Sequence, residues 1–188
     1  MTTNRRRFIM VGVALLILAI ACAVLYFRGR RYEVIITQSQ IDEALRTRFP
    51  VTKKHLLIFQ ITYSNPKVRL LPAANRIEVG LDAELTITIR DTQKKLTGSA
   101  IMTTGLKFKD ETDQFFLAEP ELQKLTISGI PEEYLGKVLP FASVFGREQL
   151  EKYPVYTLKS KNLKTTTTRL LLRDLKVMDT ELHATLGL

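Results

Sequence analysis

The sequence IEVGLDAELTITIR, at residues 77–90, carries the clearest periodicity in the chain. Its apolar positions alternate with polar or small ones and are Ile77, Val79, Leu81, Ala83, Leu85, Ile87 and Ile89. Successive side chains of a β-strand point to opposite faces of the sheet. The segment therefore predicts a long strand with one buried face and one solvated face.

The segments on either side repeat this period. Residues 57–63 predict a strand that ends at the turn-forming sequence SNP, residues 64–66. Beyond a polar turn at residues 91–95, residues 96–108 alternate again, and we expect them to pair with the long strand as a hairpin. Gly98 lies inside this second strand, where a glycine marks either a bend or the close approach of another group.

Further strands and a short helix are expected elsewhere in the chain. Residues 114–126 and 182–188 alternate more weakly and predict two more strands. Thr37 and Gln40 have the spacing of a capping box, and apolar residues then recur at helical intervals up to Pro50. This pattern predicts a short amphipathic helix.

The segment PEEYLGKVLPFASVFGREQLEKYP, residues 131–154, predicts a long helix. Pro131 suits its first turn, where a missing N–H has no consequence. Apolar residues occupy more than half of the helix circumference, so we expect a curled sheet or another apolar body to cover it. Pro140 is expected to kink the helix, and Gly136 and Gly146 reduce its side-chain bulk.

An uncharged apolar run of 20 residues, FIMVGVALLILAIACAVLYF, occupies residues 8–27. At about 1.5 Å per residue, a helix of this length covers a hydrocarbon core of about 30 Å. The run predicts a transmembrane anchor in preference to a cleaved signal, whose apolar region is shorter. The predicted organisation is a basic tail at 1–7, the anchor, a basic flank at 28–31 and one folded domain at 32–188. The short tail favours a signal anchor with the domain in the periplasm.

The net charge of +9 is concentrated around this run, in a chain of 28 basic and 19 acidic residues. Six arginines flank it: Arg5, Arg6, Arg7, Arg28, Arg30 and Arg31. The other 22 basic residues nearly balance the 19 acidic ones. Anionic lipid head groups attract such flanks, and the sequence has no basic stripe interleaved with aromatic residues, so no nucleic-acid partner is predicted.

Cys22 has two interpretations. LAIAC, at residues 18–22, resembles the site at which bacterial lipoproteins are cut and acylated on cysteine. However, Ala19 stands where leucine is usual, and residues 23–27 stay apolar, which favours a small side chain within a membrane helix. A single cysteine allows neither an intramolecular disulfide nor a cysteine metal cluster.

Several stretches resemble the YceB-like envelope lipoproteins of Gram-negative bacteria, long classed as a domain of unknown function. YEVIITQSQIDEALRTRF at 32–49 is similar to that family's opening strand and helix. FFLAEPELQKLTI at 115–127, running into YLGKVLPF at 134–141, is similar to its late strand and proline-bearing helix. YPVYTL at 153–158 resembles the segment that follows, with a weaker match at 169–186.

The resemblance implies an α+β domain in which a strongly bent antiparallel sheet wraps around the long helix. Such a domain is similar to tubular lipid-binding domains, which hold an acyl chain between helix and sheet. Together with the apolar run, it implies a single-pass protein of the bacterial inner membrane, with a lipid anchor on Cys22 as the alternative. The resemblance identifies a fold and no active site.

The residue inventory gives no support for an enzyme. His55 and His183 are far apart in sequence and belong to no HxxxH or related motif, so each is expected to be a surface or satisfied side chain. Glu78, Asp82 and Glu84 belong to the solvated face of the long strand, where a metal site is not expected. No catalytic residue, metal or cofactor is predicted.

Two functional hypotheses remain. In the first, a non-enzymatic envelope protein binds a membrane lipid or another apolar ligand between helix and sheet. The predicted ligand-binding residues are Tyr134, Leu135, Val138, Phe141, Ala142, Phe145, Leu81, Ala83, Leu85 and Ile87. The same side chains are also suited to fill an ordinary core. In the second hypothesis, the domain is a scaffold that engages an envelope protein through a strand edge or an apolar patch.

Overall fold

The computed structural model describes residues 17–19, 22, 31–55, 58–89, 92–130, 132–158 and 171–187. Strands hold 61% of these residues. They are β1 (Arg31–Thr37), β2 (Val51–His55), β3 (Phe59–Leu71), β4 (Arg76–Ile89), β5 (Thr92–Lys109), β6 (Gln114–Ile127), β7 (Pro154–Thr157), β8 (Leu171–Val177) and β9 (Glu181–Gly187). Helix α1 (Gln38–Arg46) follows β1, helix α2 (Glu132–Lys152) follows β6, and a 3₁₀ turn (Pro72–Ala74) joins β3 to β4.

The strands form two antiparallel sheets. One has the order β2-β3-β4-β5-β6-β7 and the other the order β1-β9-β8. The predicted hairpin is confirmed, because β4 and β5 pair with Leu81 opposite Ala100 and Leu85 opposite Leu96. The predicted alternation of β4 is confirmed as well, since its apolar side chains from residue 77 to residue 87 are buried.

Bulges curl the six-stranded sheet. β6 has one extra residue opposite the step from Ile101 to Met102 and another opposite the segment from Thr103 to Gly105. Extra residues of this kind bend a strand and increase its twist. The second bulge includes Glu119, whose φ angle is 49°. The result is a sheet curled into half a barrel.

The predicted end of a strand at residues 64–66 is wrong, because β3 continues through this segment. The pairing with β4 shifts between Ser64 and Lys67, so the turn-forming residues make a bulge. Asn65 adopts a φ angle of 48°, which asparagine tolerates better than most residues. Its amide donates a hydrogen bond to Asp82 Oδ2 at 2.7 Å. These residues bend the strand and do not end it.

Helix α1 begins with the predicted capping box, which is confirmed. The Gln40 N–H donates to Thr37 Oγ1 at 3.3 Å, and the Thr37 N–H donates to Gln40 Oε1 at 3.0 Å. The predicted amphipathic character is confirmed too, since Ile41 and Leu45 are buried. The cap satisfies two backbone donors that a helix end otherwise leaves without partners.

α1 also covers part of the edge of β3. β2 pairs with β3 only as far as Tyr63. Beyond that point, the Val68 N–H donates to Asp42 Oδ1 at 3.1 Å and the Leu70 N–H donates to Gln38 Oε1 at 3.3 Å. Two side chains of α1 therefore take the place of a neighbouring strand along an otherwise open edge.

The three-stranded sheet packs against the same apolar core. The predicted alternation at the C-terminus is confirmed for residues 182–186, while residue 188 lies outside the described residues. Asn75 ties the two sheets together: its amide donates to the Leu175 carbonyl at 2.8 Å, and its Oδ1 accepts from the Val177 N–H at 2.8 Å. Buried residues of both sheets form one continuous cluster.

The predicted α+β class, with a strongly bent sheet wrapped around a long helix, is wrong. The chain is mostly β, and the helix predicted at 131–154 forms as α2 but is not enclosed. Leu135, Leu139 and Val144 are 38%, 42% and 54% exposed, so the sheet leaves part of the apolar surface of α2 uncovered. The prediction assumed that every apolar residue of the helix would be covered, whereas the half-barrel covers only one side of it.

The predicted single-pass location in the inner membrane is also wrong. No helix among the described residues is long and apolar enough to cross a membrane. The run at residues 8–27, on which that prediction rested, lies outside the described residues apart from residues 17–19 and 22. Cys22 is exposed, which does not test its acylation.

Gly98 lies where the backbones of β5 and β6 approach closely, which was one of its two interpretations. A Cβ atom at this position would lie 1.8 Å from the Thr126 carbonyl oxygen and 2.8 Å from the Ile127 Cα. At Gly105, on the same strand, the nearest atom would be the Ala118 carbonyl oxygen at 3.7 Å, an ordinary contact. At Gly98, therefore, the neighbouring strand leaves no room for a side chain, whereas Gly105 has room for a methyl group.

We predict that Gly98→Ala lowers the free energy of unfolding by about 2–3 kcal/mol, because β6 has to move away from the added methyl group. Urea denaturation measures this change. Gly105→Ala is the matched control and should change the free energy of unfolding by less than about 1 kcal/mol. Equal losses in the two variants would contradict the close-approach explanation.

His183 links the first and last strands, which confirms the expectation of a satisfied side chain. Its Nδ1 lies 2.8 Å from Glu33 Oε1 and its Nε2 lies 3.3 Å from Glu181 Oε2. The hydrogen bond to Glu33, with a smaller contribution from Glu181, raises the pKa of His183 above its ordinary value.

This raised pKa predicts a pH-dependent contribution to stability. Because the folded pKa exceeds the unfolded value of about 6.5, the contribution is present below that pH and is lost as the pH rises through the folded pKa. The free energy of unfolding, measured in urea at about pH 6 and pH 8, should fall more in the wild type than in His183→Gln. Parallel behaviour of the two proteins would exclude this role.

Candidate functional site

Helix α2 is held in place at its middle by β3. The Tyr63 hydroxyl donates a hydrogen bond to the Ala142 carbonyl at 2.9 Å. The rings of Tyr63 and Phe145 stack with their centroids 5.5 Å apart. Tyr63 is fully buried, and this burial raises the pKa of its hydroxyl. One hydrogen bond and one ring stack thus set which side of α2 faces the sheet.

The structure brings most of the predicted ligand-binding residues together as packed core. The strand residues are at most 3% exposed and are Leu81, Ala83, Leu85 and Ile87. The buried helix residues are Val138, Phe141, Ala142 and Phe145. Tyr134 is half-buried, with its ring 5.5 Å from that of Phe59. Leu135 is 38% exposed, near the N-terminal end of the helix.

These residues fall into two clusters. The main core holds Leu81, Ala83, Phe141, Ala142 and Phe145. A second cluster around Phe59 and Leu96 holds Leu85, Ile87 and Val138, with Tyr134 packed against it. Phe141 also lines an open cleft. Ligand binding by the predicted set stays a prediction, since core packing does not test it.

The open cleft lies between α2 and β2, one of the two edge strands of the six-stranded sheet. It has a volume of about 460 Å³ and a mostly apolar wall. The lining residues are Lys53, His55, Gly136, Lys137, Pro140, Phe141 and Val144. The cleft is therefore bounded by α2 on one side and by β2 on the other.

Two residues of α2, one helical turn apart, account for the open space. Gly136 has no side chain, and a Cβ atom there would meet nothing within 4 Å. Pro140 has no N–H, so the Gly136 carbonyl lacks the donor that normally lies four residues further along a helix. The cleft thus forms where the helix has the least bulk and one fewer internal hydrogen bond.

The sheet side of the cleft is built by β2. The His55 ring stacks on Phe141 with centroids 4.6 Å apart and an interplanar angle of 22°. Lys53 forms an ion pair with Glu148 of α2, and its Nζ lies 5.8 Å from the centroid of the Phe145 ring. These contacts connect the edge strand to the helix across the floor of the cleft.

Two further hollows are more polar than this cleft. One of about 380 Å³ lies beside the bulge at residues 64–67 of β3. The other, of about 320 Å³, lies on the solvated face of the sheet near Thr86 and Lys95. In the described ranges, no group of three or more histidine, cysteine, aspartate or glutamate residues is placed to hold a metal ion.

Residues 36–181 match a protein family described as a protein of unknown function, DUF1439. The chain belongs to the DUF1439 family. This match confirms the predicted assignment to a bacterial family of unknown function. The narrower YceB-like name of this DUF1439 protein stays a prediction. No curated protein matches the chain.

The sequence prediction missed the sheet side of the DUF1439 cleft. Lys53 and His55 belong to β2, whose sequence VTKKH has no apolar alternation and was not predicted as a strand. On the helix side, the available signal was the spacing of Gly136 and Pro140. The proline removes a helical hydrogen bond to the Gly136 carbonyl, and the glycine, one turn earlier on the same face, has no side chain. Val144 gave no separate signal.

We predict that Tyr63→Phe lowers the free energy of unfolding by about 1 kcal/mol, the net value of one buried hydrogen bond. The ring remains, so the stack on Phe145 is kept. Urea denaturation measures the loss, and retention of the helical signal in circular dichroism is the control. An unchanged free energy of unfolding would show that the hydroxyl does not help to hold α2.

Proposed function

We propose that the DUF1439 domain binds an apolar ligand in the cleft between α2 and β2. The observation that carries this proposal is an open space of about 460 Å³ with a mostly apolar wall. Small-molecule sites commonly have volumes of about 300–1,000 Å³ and apolar linings with a few polar groups. The cleft fits that description in size and in composition.

Burial of a hydrocarbon chain supplies the driving force. Each methylene group removed from water contributes about 0.8 kcal/mol, so six of them contribute about 5 kcal/mol before the costs of ordering. Pro140, Phe141 and Val144 provide the apolar contacts along the helix. Val144 is 54% exposed without a ligand, so binding would also remove its surface from water.

The mostly apolar wall of the cleft supports a hydrocarbon such as an acyl chain as the ligand. The proposed position differs from the one expected from the sequence. Leu81, Ala83, Leu85 and Ile87 of β4 are buried under the domain's own side chains. The proposed ligand therefore lies beside the edge strand β2.

The chemistry of the cleft supports a binding role in preference to an enzymatic one. None of the residues that line it is a serine, threonine, cysteine, aspartate or glutamate. Its histidine, His55, has its ring stacked on Phe141. Lys53 and Lys137 also line the cleft, but Lys53 is paired with Glu148, and among the described contacts neither lysine hydrogen-bonds His55 as an activated catalytic pair would.

A protein partner is the second candidate, favoured by the position of β2 at the edge of the sheet. A partner strand would pair with Val51–His55, as in β-strand addition. However, Lys53 and Lys54 stand in the middle of this short strand, and lysines on an edge strand oppose such pairing. The apolar cleft is therefore the better-supported site.

We predict that N-phenyl-1-naphthylamine, a neutral apolar fluorophore, binds the full chain and that Gly136→Phe weakens this binding at least about tenfold, the effect of about 1.4 kcal/mol. The phenylalanine side chain occupies space that is free at position 136. Fluorescence titration measures the affinity.

Gly136→Ala is the matched control. It adds only a methyl group that meets no other atom, so it should keep the affinity of the wild type within about twofold and stabilise the helix by about 0.5–1 kcal/mol. The apolar run at residues 8–27 is identical in all three proteins, so the differences between them report on the cleft. Equal fluorophore affinities in Gly136→Phe and Gly136→Ala would exclude binding at this site.

A further inference from the structure

The two ends of the cleft carry cations in different situations. Lys137, Phe141, Val144 and Glu148 lie on one stripe of α2, at helical intervals of three and four residues. At the C-terminal end of this stripe, Lys53 already has Glu148 as its ion-pair partner. At the N-terminal end, Lys137 is exposed, and no acidic side chain within the described part of the chain pairs with it.

We infer, building on the proposed function, that the cleft selects a single-chain amphiphile with an anionic head group, a carboxylate or a phosphate. The head group binds the ammonium of Lys137. The apolar chain lies along the helix beside Phe141 and Val144, and His55 lines the opposite wall of the cleft. Charge complementarity therefore gives the ligand one orientation.

The dimensions and charges agree with this assignment. With a rise of about 1.5 Å per residue, the helix wall from Lys137 to Val144 extends about 10 Å, enough for a medium-length chain. Glu132 and Glu133 precede Lys137 on the same helix, yet both are exposed and neither pairs with it. A neutral apolar ligand would gain nothing from this cation, whereas an anionic head group would neutralise it.

The test compares ligands that differ only in the head group. Decanoate, decan-1-ol and acetate are each titrated against the full chain carrying N-phenyl-1-naphthylamine, below the concentration at which decanoate forms micelles. Decanoate should bind about fivefold more tightly than decan-1-ol, the value of one exposed ion pair. Acetate, which has the head group without the chain, should not displace the fluorophore.

Three variants assign this preference to a residue. Lys137→Gln should bring the affinities of decanoate and decan-1-ol within about twofold of each other, and Lys137→Arg should keep the preference. Lys124→Gln is the matched control, because Lys124 is an exposed lysine of β6 that does not line the cleft, and its loss should change the preference by less than about twofold. The arginines beside the apolar run are the same in every protein.

The outcomes separate this inference from the proposed function. Equal affinities for decanoate and decan-1-ol in the wild type, or a preference that persists in Lys137→Gln, would overturn the inference and leave apolar binding intact. Loss of the preference in Lys124→Gln would overturn the assignment to Lys137. Displacement by acetate would indicate a site for free anions. An unchanged affinity for the fluorophore in Gly136→Phe would overturn both the proposed function and the inference.

Discussion

The curl of the six-stranded sheet is the constraint on which the other elements depend. Two extra residues in β6 and one in β3 bend the sheet into half a barrel. β6 leads into α2 through a turn at Gly129, so the helix returns across the same apolar face and meets Tyr63 of β3. α1 and the three-stranded sheet cover the rest of this face. The cleft lies where the cover provided by α2 ends, beside β2.

Much of the fold could be predicted because its signals are local. The period-two pattern at residues 77–87 and the capping box at Thr37 need only their own neighbours in sequence to be recognised. The helix at 131–154 could also be predicted, from its first-turn proline and its apolar residues. Each of these elements formed at or near its predicted position. Their assembly was a different matter, because the extent of the sheet's curl is set by pairing across strands.

The errors share one physical cause, which is dependence on distant partners. Asn65 and its neighbours have the composition of a turn, but β4 continues past them and keeps them paired as a bulge. Gly98 is constrained by Thr126, a residue of the next strand. β2 was missed because its sequence, VTKKH, has the charged residues typical of an edge strand and lacks the alternation of a strand with a buried face. No window of neighbouring residues contains this information.

Helix α2 serves two purposes, and its sequence is divided between them. Val138, Ala142 and Phe145 are buried and hold the helix on the sheet. On the other side, proline and glycine stand at positions 140 and 136, where they cost a helix interior about 3 and 1 kcal/mol relative to alanine. The buried contacts offset this cost. Because both residues line the apolar cleft, the same two substitutions for ordinary helix formers that weaken α2 also create the open space beside β2.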